Sequence, residues 1–126
     1  MAALILDTGA LIAIDRGDRR LGAMLHETAR HRVDAVTSCV CVAEAWRHPS
    51  RQARLTRALA GIIEHPLDSD AARACGMLLA RARTREIADA AVTVLARDGD
   101  LVLTSDAGDI EHLLDINRTS ARVQPV

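Results

Sequence analysis

Trp46 is the only aromatic side chain in a chain of 126 residues that has neither Phe nor Tyr. A core without aromatics must be filled by aliphatic side chains, and 23 alanines supply much of its bulk. Such residues suit closely packed helices, whereas sandwiches and barrels lean on aromatic and β-branched side chains. An all-β fold is therefore excluded. The length is that of one ordinary domain, 1–126, which buries roughly two-thirds of its unfolded surface without help from a disulfide or a metal.

Charge narrows the function classes. The formal net charge is −1, so no bulk basic field draws the protein to nucleic acid. All 16 cationic residues are Arg, which gives every cationic position the capacity for bidentate phosphate contact. Cys39, Cys41 and Cys75 form neither an even set nor a CxxC pair and read as reduced, small hydrophobes of a cytoplasmic protein. No apolar run approaches eighteen residues, so neither a membrane span nor a signal peptide is expected.

Along the chain, the apolar run Ala2–Leu6 stops at Asp7 and is short enough for a strand buried on both faces. Thr8–Asp15 predicts a helix, Arg16-Gly17-Asp18 a turn with Asp18 as a possible N-cap, and Leu21–His31 a second helix. Val33–Val36 reads as a weak strand, Cys39–His48 as a helix ended by Pro49, and Ser50–Ile63 as a helix with Leu55, Leu59 and Ile62 on one side. Ile63–Leu67 is a candidate strand, Ser69–Arg83 a helix capped by Asp68 or Ser69, and Glu86–Arg97 another helix. Leu101–Thr104 is a strand, Asp109–Leu114 the start of a last helix, and Ala121–Val126 a terminal strand. Strands alternating with helices imply one α/β domain, with a small, mostly parallel sheet flanked by helices on both faces.

In open α/β sheets ligands gather beyond the carboxyl ends of the strands. Asp7 and Asp106 fall there, beside the hydroxyls of Thr8 and of Thr104 and Ser105. Acids at strand ends also serve as helix N-caps. Glu44 sits in a segment that is apolar nearly all round, Cys39–Trp46, so partial burial is expected; it then needs an Arg such as Arg47 or Arg51, hydrogen bonds, or a metal ion. By periodicity Asp89 shares a polar side with Thr93 and Arg97 and reads as solvated. Converging carboxylates are hard oxygen donors suited to Mg²⁺ or Mn²⁺, ions that acidify a water and neutralise a phosphodiester.

These acids, in this order and in a chain of this length, resemble the PIN-domain nucleases, in particular VapC-type toxins of bacterial toxin–antitoxin pairs. LDTGALIAI places Asp7 at the family's first acidic position, VCVAEAW places Glu44 at the second, and IADAAV places Asp89 at the third. LVLTSDAGDI places Asp106 at the fourth, with Asp109 as an auxiliary candidate. Gly9 departs from the pattern, standing where Ser or Asn is frequent, so one polar contact beside Asp7 is missing. The resemblance implies a single-domain, cytoplasmic, homodimeric endoribonuclease. Its Mg²⁺ or Mn²⁺ would be held by Asp7, Glu44, Asp89 and Asp106, and a cognate antitoxin would inhibit it. RNA phosphodiesters would be hydrolysed by an activated water, leaving 5′-phosphate and 3′-hydroxyl ends.

Other readings fare worse. Asp7-Thr8-Gly9 mimics the aspartic-protease motif, but the chain lacks the strands of that all-β fold. A phosphoacceptor domain with Asp7 as its target normally carries a site Lys, and this chain has none. A PIN-like module that binds RNA or protein without cleaving is the serious alternative, although all four acidic positions are filled. Arg47, Arg51, Arg54 and Arg57 would share a broad face if the helix resumes after Pro49, either guiding RNA phosphates or simply solvated. Trp46 reads as core, and the five histidines are scattered without metal-ligand spacing.

Overall fold

Leu4, Ile5 and Leu6 are all buried, at 3%, 1% and 0% exposure. Successive strand residues face opposite sides of a sheet, so this pattern requires cover on both faces. The computed structural model, which describes residues 2–126, supplies that cover. Strands β1 (Leu4–Leu6), β2 (Ala35–Ser38), β3 (Ile63–His65), β4 (Leu101–Thr104) and β5 (Arg122–Pro125) form one sheet in the order β3-β2-β1-β4-β5. Every pairing is parallel, with Ile5 opposite both Val36 and Val102. Seven α-helices complete the described residues: α1 (Thr8–Asp15), α2 (Arg19–Arg30), α3 (Cys39–Ala45), α4 (Ala53–Leu59), α5 (Ser69–Ala82), α6 (Ile87–Leu95) and α7 (Ala107–Ile116). This is the expected single α/β domain, with a sheet that is wholly parallel.

The chain leaves β1 toward β2 and β3 on one side, then returns to place β4 on the other. Strand order therefore reverses between β1 and β4, and a crevice opens there beyond the strand ends. Asp7 follows β1 and Asp106 follows β4, so the topology brings the two acids to one place. The main core joins the sheet to α1, α2, α3, α4, α6 and α7 through residues such as Leu11, Leu21, Leu55, Val92 and Ile110. A smaller cluster, Cys75, Leu78, Ala90, Ala91 and Leu113, ties α5, α6 and α7 together. Alanines on α6 let these helices approach closely.

Local capping follows the sequence. Asp18 accepts a hydrogen bond from the Leu21 N–H at 3.0 Å, and Asp68 from the Ala71 N–H at 2.8 Å. Gly17 takes φ +83° in the turn between α1 and α2, a left-handed conformation that favours glycine. Asp100, 6% exposed, has a purely structural role, its two carboxylate oxygens accepting from the N–H groups of Ala3 and Arg97, both at 2.8 Å.

Two helices differ from expectation. The helix expected over Cys39–His48 ends at Ala45, and the one expected over Ser50–Ile63 is a 3₁₀ turn, Pro49–Arg51, followed by the shorter α4. Pro49 disfavours helical backbone at His48. Buried Gln52 then fixes the break: its Oε1 accepts from the N–H groups of Arg47 (2.7 Å) and His48 (3.0 Å), and its Nε2 donates to the Ala45 carbonyl (2.9 Å). The four arginines accordingly do not share one face. Arg47 folds back onto the carbonyls of Ala43 and Trp46, while Arg57 lines a separate groove with Leu25 and His26. The second strand begins at Ala35, two residues later than expected. No helix among the described residues is long and apolar enough to cross a membrane.

Candidate active site

Asp7 is the anchor of the site. Only 3% exposed, it N-caps α1: Oδ1 accepts from the Ala10 N–H at 2.8 Å, and Oδ2 from the Ser105 N–H at 3.3 Å. Burial pushes its carboxyl above the usual range. Hydrogen bonds from the Thr104 side chain and the Ala10 and Ser105 N–H groups oppose that shift, and the neighbouring charge of Asp106 adds to it. Its side chain is thus fixed from β1, α1 and β4 at once, yet it carries a charge that the site disfavours.

Asp106 behaves differently. It precedes α7 but makes no side-chain cap, and its N–H donates instead to Thr104 Oγ1 at 2.9 Å. Exposed and unspent on capping, its carboxylate is free to act toward the crevice. Asp89, on the first turn of α6, is partly buried rather than solvated as its own helix's periodicity indicates. Its carboxyl is pushed up to about 6, first by burial and then by the charges of Asp106, Asp7, Asp109 and Glu86. Those acids reach it from the neighbouring strand ends, from α7 and from the residue before α6. Asp109 further shares a small pocket with Asp89, Thr84, Glu86 and His112.

Glu44 corrects an expectation. It is exposed, and it pairs with neither Arg47 nor Arg51; among the described residues the ion pairs are those of Glu27 with Arg30 and His31. Short α3 buries only Cys41 and Ala45, leaving Cys39, Ala43 and Glu44 toward solvent, which small side chains tolerate. Glu44 nevertheless belongs to the site, because its Oε1 accepts from Thr8 Oγ1 at 2.6 Å, one residue from Asp7. Beneath this pair lies Cys41, fully buried, its thiol pushed up to about 11, chiefly by burial and further by the charges of Asp7 and Glu44. Cys41 is therefore a neutral floor. The sequence reading gave neither Cys41 nor His112 a place here, and only contacts across the fold reveal them.

The four sequence-derived acids and Asp109 thus form one acidic centre. Asp7, Asp89, Asp106 and Asp109 are linked by mutual repulsion, and Glu44 is linked to Asp7 through Thr8 and Cys41. None has a cationic side chain within 4 Å among the described residues. Nor, among the described residues, do any three Asp, Glu, His or Cys side chains converge tightly enough to enclose an ion by themselves. The donor set does fit a hydrated hard cation. The charged donors are carboxylate oxygens, and Mg²⁺ typically keeps several waters and uses one or two carboxylates directly. Cys41, held as a thiol, adds no soft ligand.

Gly9 has a steric reason. A Cβ built there would lie 2.5 Å from Ser105 Cβ, closer still to its Oγ, and 3.2 Å from its N. The loop after β4 occupies the space that a side chain at position 9 would need. Gly9→Ala is expected to destabilise the protein by about 1–3 kcal/mol through overpacking, and Ser105→Gly in the same chain to restore most of the loss. Urea denaturation of the two single variants and the double variant measures this coupling. Simple additivity would refute the contact.

The fold and site define an α/β domain with an acidic centre at its topological switch point. Its structure is similar to a chain in the crystal structure of VapBC2 from Rickettsia felis bound to a DNA fragment from their promoter. The TM-score is 0.64 over 98% of each chain, at 13% sequence identity. The sequence itself matches no family profile and no curated protein.

Proposed function

We propose that the protein is a Mg²⁺- or Mn²⁺-dependent endoribonuclease, the toxin of a toxin–antitoxin pair. The observation that carries this reading is the acidic centre of Asp7, Glu44, Asp89 and Asp106, with no cationic side chain within 4 Å among the described residues, at the switch point of a fold shared with a VapBC2 chain. Asp7, like the structural Asp100, has both oxygens bonded to backbone N–H groups, but Asp106 and Asp89 stand near it with side chains that accept no hydrogen bond among the described residues. Asp7, Asp89 and Asp106 repel one another, and Glu44 accepts from Thr8 beside Asp7; such a centre is suited to a divalent cation.

Asp7 and Asp89 would hold the cation, with Asp106 and Glu44 acting directly or through its waters. When bound, Mg²⁺ or Mn²⁺ supplies a Lewis acid that offsets the charge of a phosphodiester and makes water more acidic. The protein supplies orientation. Asp7 is fixed by two backbone N–H groups, and Thr8 fixes Glu44, so two carboxylates keep their positions as substrate arrives. Asp89, held beside Asp106 and Asp7 in a half-buried position, would turn its carboxylate to the cation that offsets those charges. The 3′-oxygen leaves, giving 5′-phosphate and 3′-hydroxyl ends. The likeness to a VapBC2 chain supports an antitoxin partner; an RNA substrate, a second copy of the chain and a cytoplasmic location are part of the same proposal.

Incubation of antitoxin-free protein with total cellular RNA tests the reading. With Mg²⁺ or Mn²⁺, discrete fragments bearing 5′-phosphate are expected, and none with EDTA. Fragments ending in 2′,3′-cyclic phosphate would refute the water mechanism. RNA binding without cleavage would instead support a PIN-like binding module.

A further inference from the structure

A groove of ≈ 580 Å³ runs along α1, lined among others by Gly9, Ile12, Arg16, Gly17, Asp18 and Ser105; Gly9 and Ser105 are sequence neighbours of the site residues Asp7 and Asp106. Gly9 and Arg16 are seven residues apart, so they stand on one side of the helix, about 10 Å apart along its axis. The near end is the Gly9–Ser105 contact beside Asp7. At the far end are two guanidiniums: Arg16 lines the groove, and Arg54 lies over Gly17, its Cζ and Nε 3.1 Å from where a Cβ would stand. Neither has a carboxylate within 4 Å among the described residues. Asp18, which lines the same groove, has its Oδ1 engaged in capping α2 through the Leu21 N–H, and Asp15 accepts from Gln52 Nε2 at 3.3 Å.

We propose that this groove seats the single-stranded RNA backbone on one side of the cleaved bond, with Arg16 and Arg54 receiving a neighbouring phosphate. The inference rests on the nuclease reading and extends it to the path of the substrate. The acidic centre repels a polyanion, so the strand needs cationic anchors outside that centre. Arg16 lines a groove whose near end, at Gly9 and Ser105, is beside Asp7, and Arg54 stands over Gly17 at its far end. Two guanidiniums offer forked donors matched to phosphate oxygens, and they carry no base information. Arg16 and Arg54 are positioning residues.

Binding of a fluorescent single-stranded RNA oligomer in EDTA, across a salt series, tests the groove without any catalysis. Arg16→Ala and Arg54→Ala are each expected to lower the slope of log affinity against log salt by about 0.7, the value per phosphate contact on a single strand. In the cleavage assay the double variant is expected to raise KM on the order of tenfold, with kcat within about twofold. Arg30→Ala, which removes an exposed pair with Glu27, serves as the control and leaves both readouts unchanged. Thermal melts establish that the variants are folded. An unchanged salt slope in folded variants overturns the proposal, even if the wild-type protein cleaves RNA, and leaves the groove to a protein segment. A wild-type protein that cleaves nothing defeats the nuclease reading instead. The slope still decides the groove in that case: a reduced slope supports it and an unchanged slope refutes it.

Discussion

Asp7→Asn is expected to abolish metal-dependent RNA cleavage, by at least about 100-fold, while leaving stability within about 1 kcal/mol of wild type. The two halves of this expectation have separate causes. Asn is as good an N-cap as Asp, so the 2.8 Å bond from the Ala10 N–H survives. Its amide cannot accept from the Ser105 N–H, and that bond, at 3.3 Å, is lost. Against this, the substitution removes a buried charge that desolvation and Asp106 disfavour. The losses and gains are of similar size. Chemistry has no such compensation, because an amide offers a hydrated cation much weaker electrostatic attraction than a carboxylate. Cleavage kinetics and urea denaturation of one preparation check both halves. A folded Asp7→Asn protein that still cleaves would sink the assignment of Asp7, and an unfolded one would show that the carboxylate holds the fold together.

The parts of the molecule that were legible in the sequence are those whose cause is local. Leu4–Leu6 and Leu101–Thr104 are uninterrupted apolar runs, and both are buried parallel strands. Asp18 and Asp68 precede helices and cap them. The acids after the two central strands meet because strand order reverses between those strands, and the alternation of strands and helices indicated that kind of crevice. What could not be read depends on distant residues. Asp89 looked solvated because periodicity sees only its own helix, whereas its environment comes from Asp7, Asp106 and Asp109. Glu44 looked partly buried because its segment is apolar all round; α3 in fact turns its small residues outward, and Thr8 supplies the partner. The helix break after Ala45 is held by Gln52, a residue with no turn signature of its own. Gly9 likewise has no local explanation; the loop after β4 excludes a side chain there.

The second large effect concerns pH. The carboxyl of Asp89 sits at about 6 in the folded protein and at the ordinary 3.8 when unfolded. A raised carboxylate favours the folded state only while protonated, so its contribution is fully present below about 3.8 and is lost as pH rises to about 6. In EDTA, Asp89→Asn is therefore expected to be more stable than wild type at pH 7.5, by on the order of 1 kcal/mol after solvent screening. That advantage should vanish by about pH 4. No hydrogen bond made by the Asp89 side chain opposes the effect, since the bond from Thr93 Oγ1 goes to the backbone carbonyl. Mg²⁺ should reverse the order at pH 7.5. Binding to the ionised centre stabilises the wild-type protein by about 2.7 kcal/mol at a hundredfold excess over Kd, and the variant far less. The same cation should lose its hold on the wild-type centre as pH falls through about 6, since protonated Asp89 is a poor ligand. Urea midpoints of both proteins at pH 4.5 and 7.5, with Mg²⁺ and with EDTA, separate these effects. Parallel pH dependence in wild type and Asp89→Asn would mean that Asp89 is not strained by its neighbours. A strained Asp89 with no Mg²⁺-dependent stabilisation would mean that the strain is relieved by something other than a divalent cation.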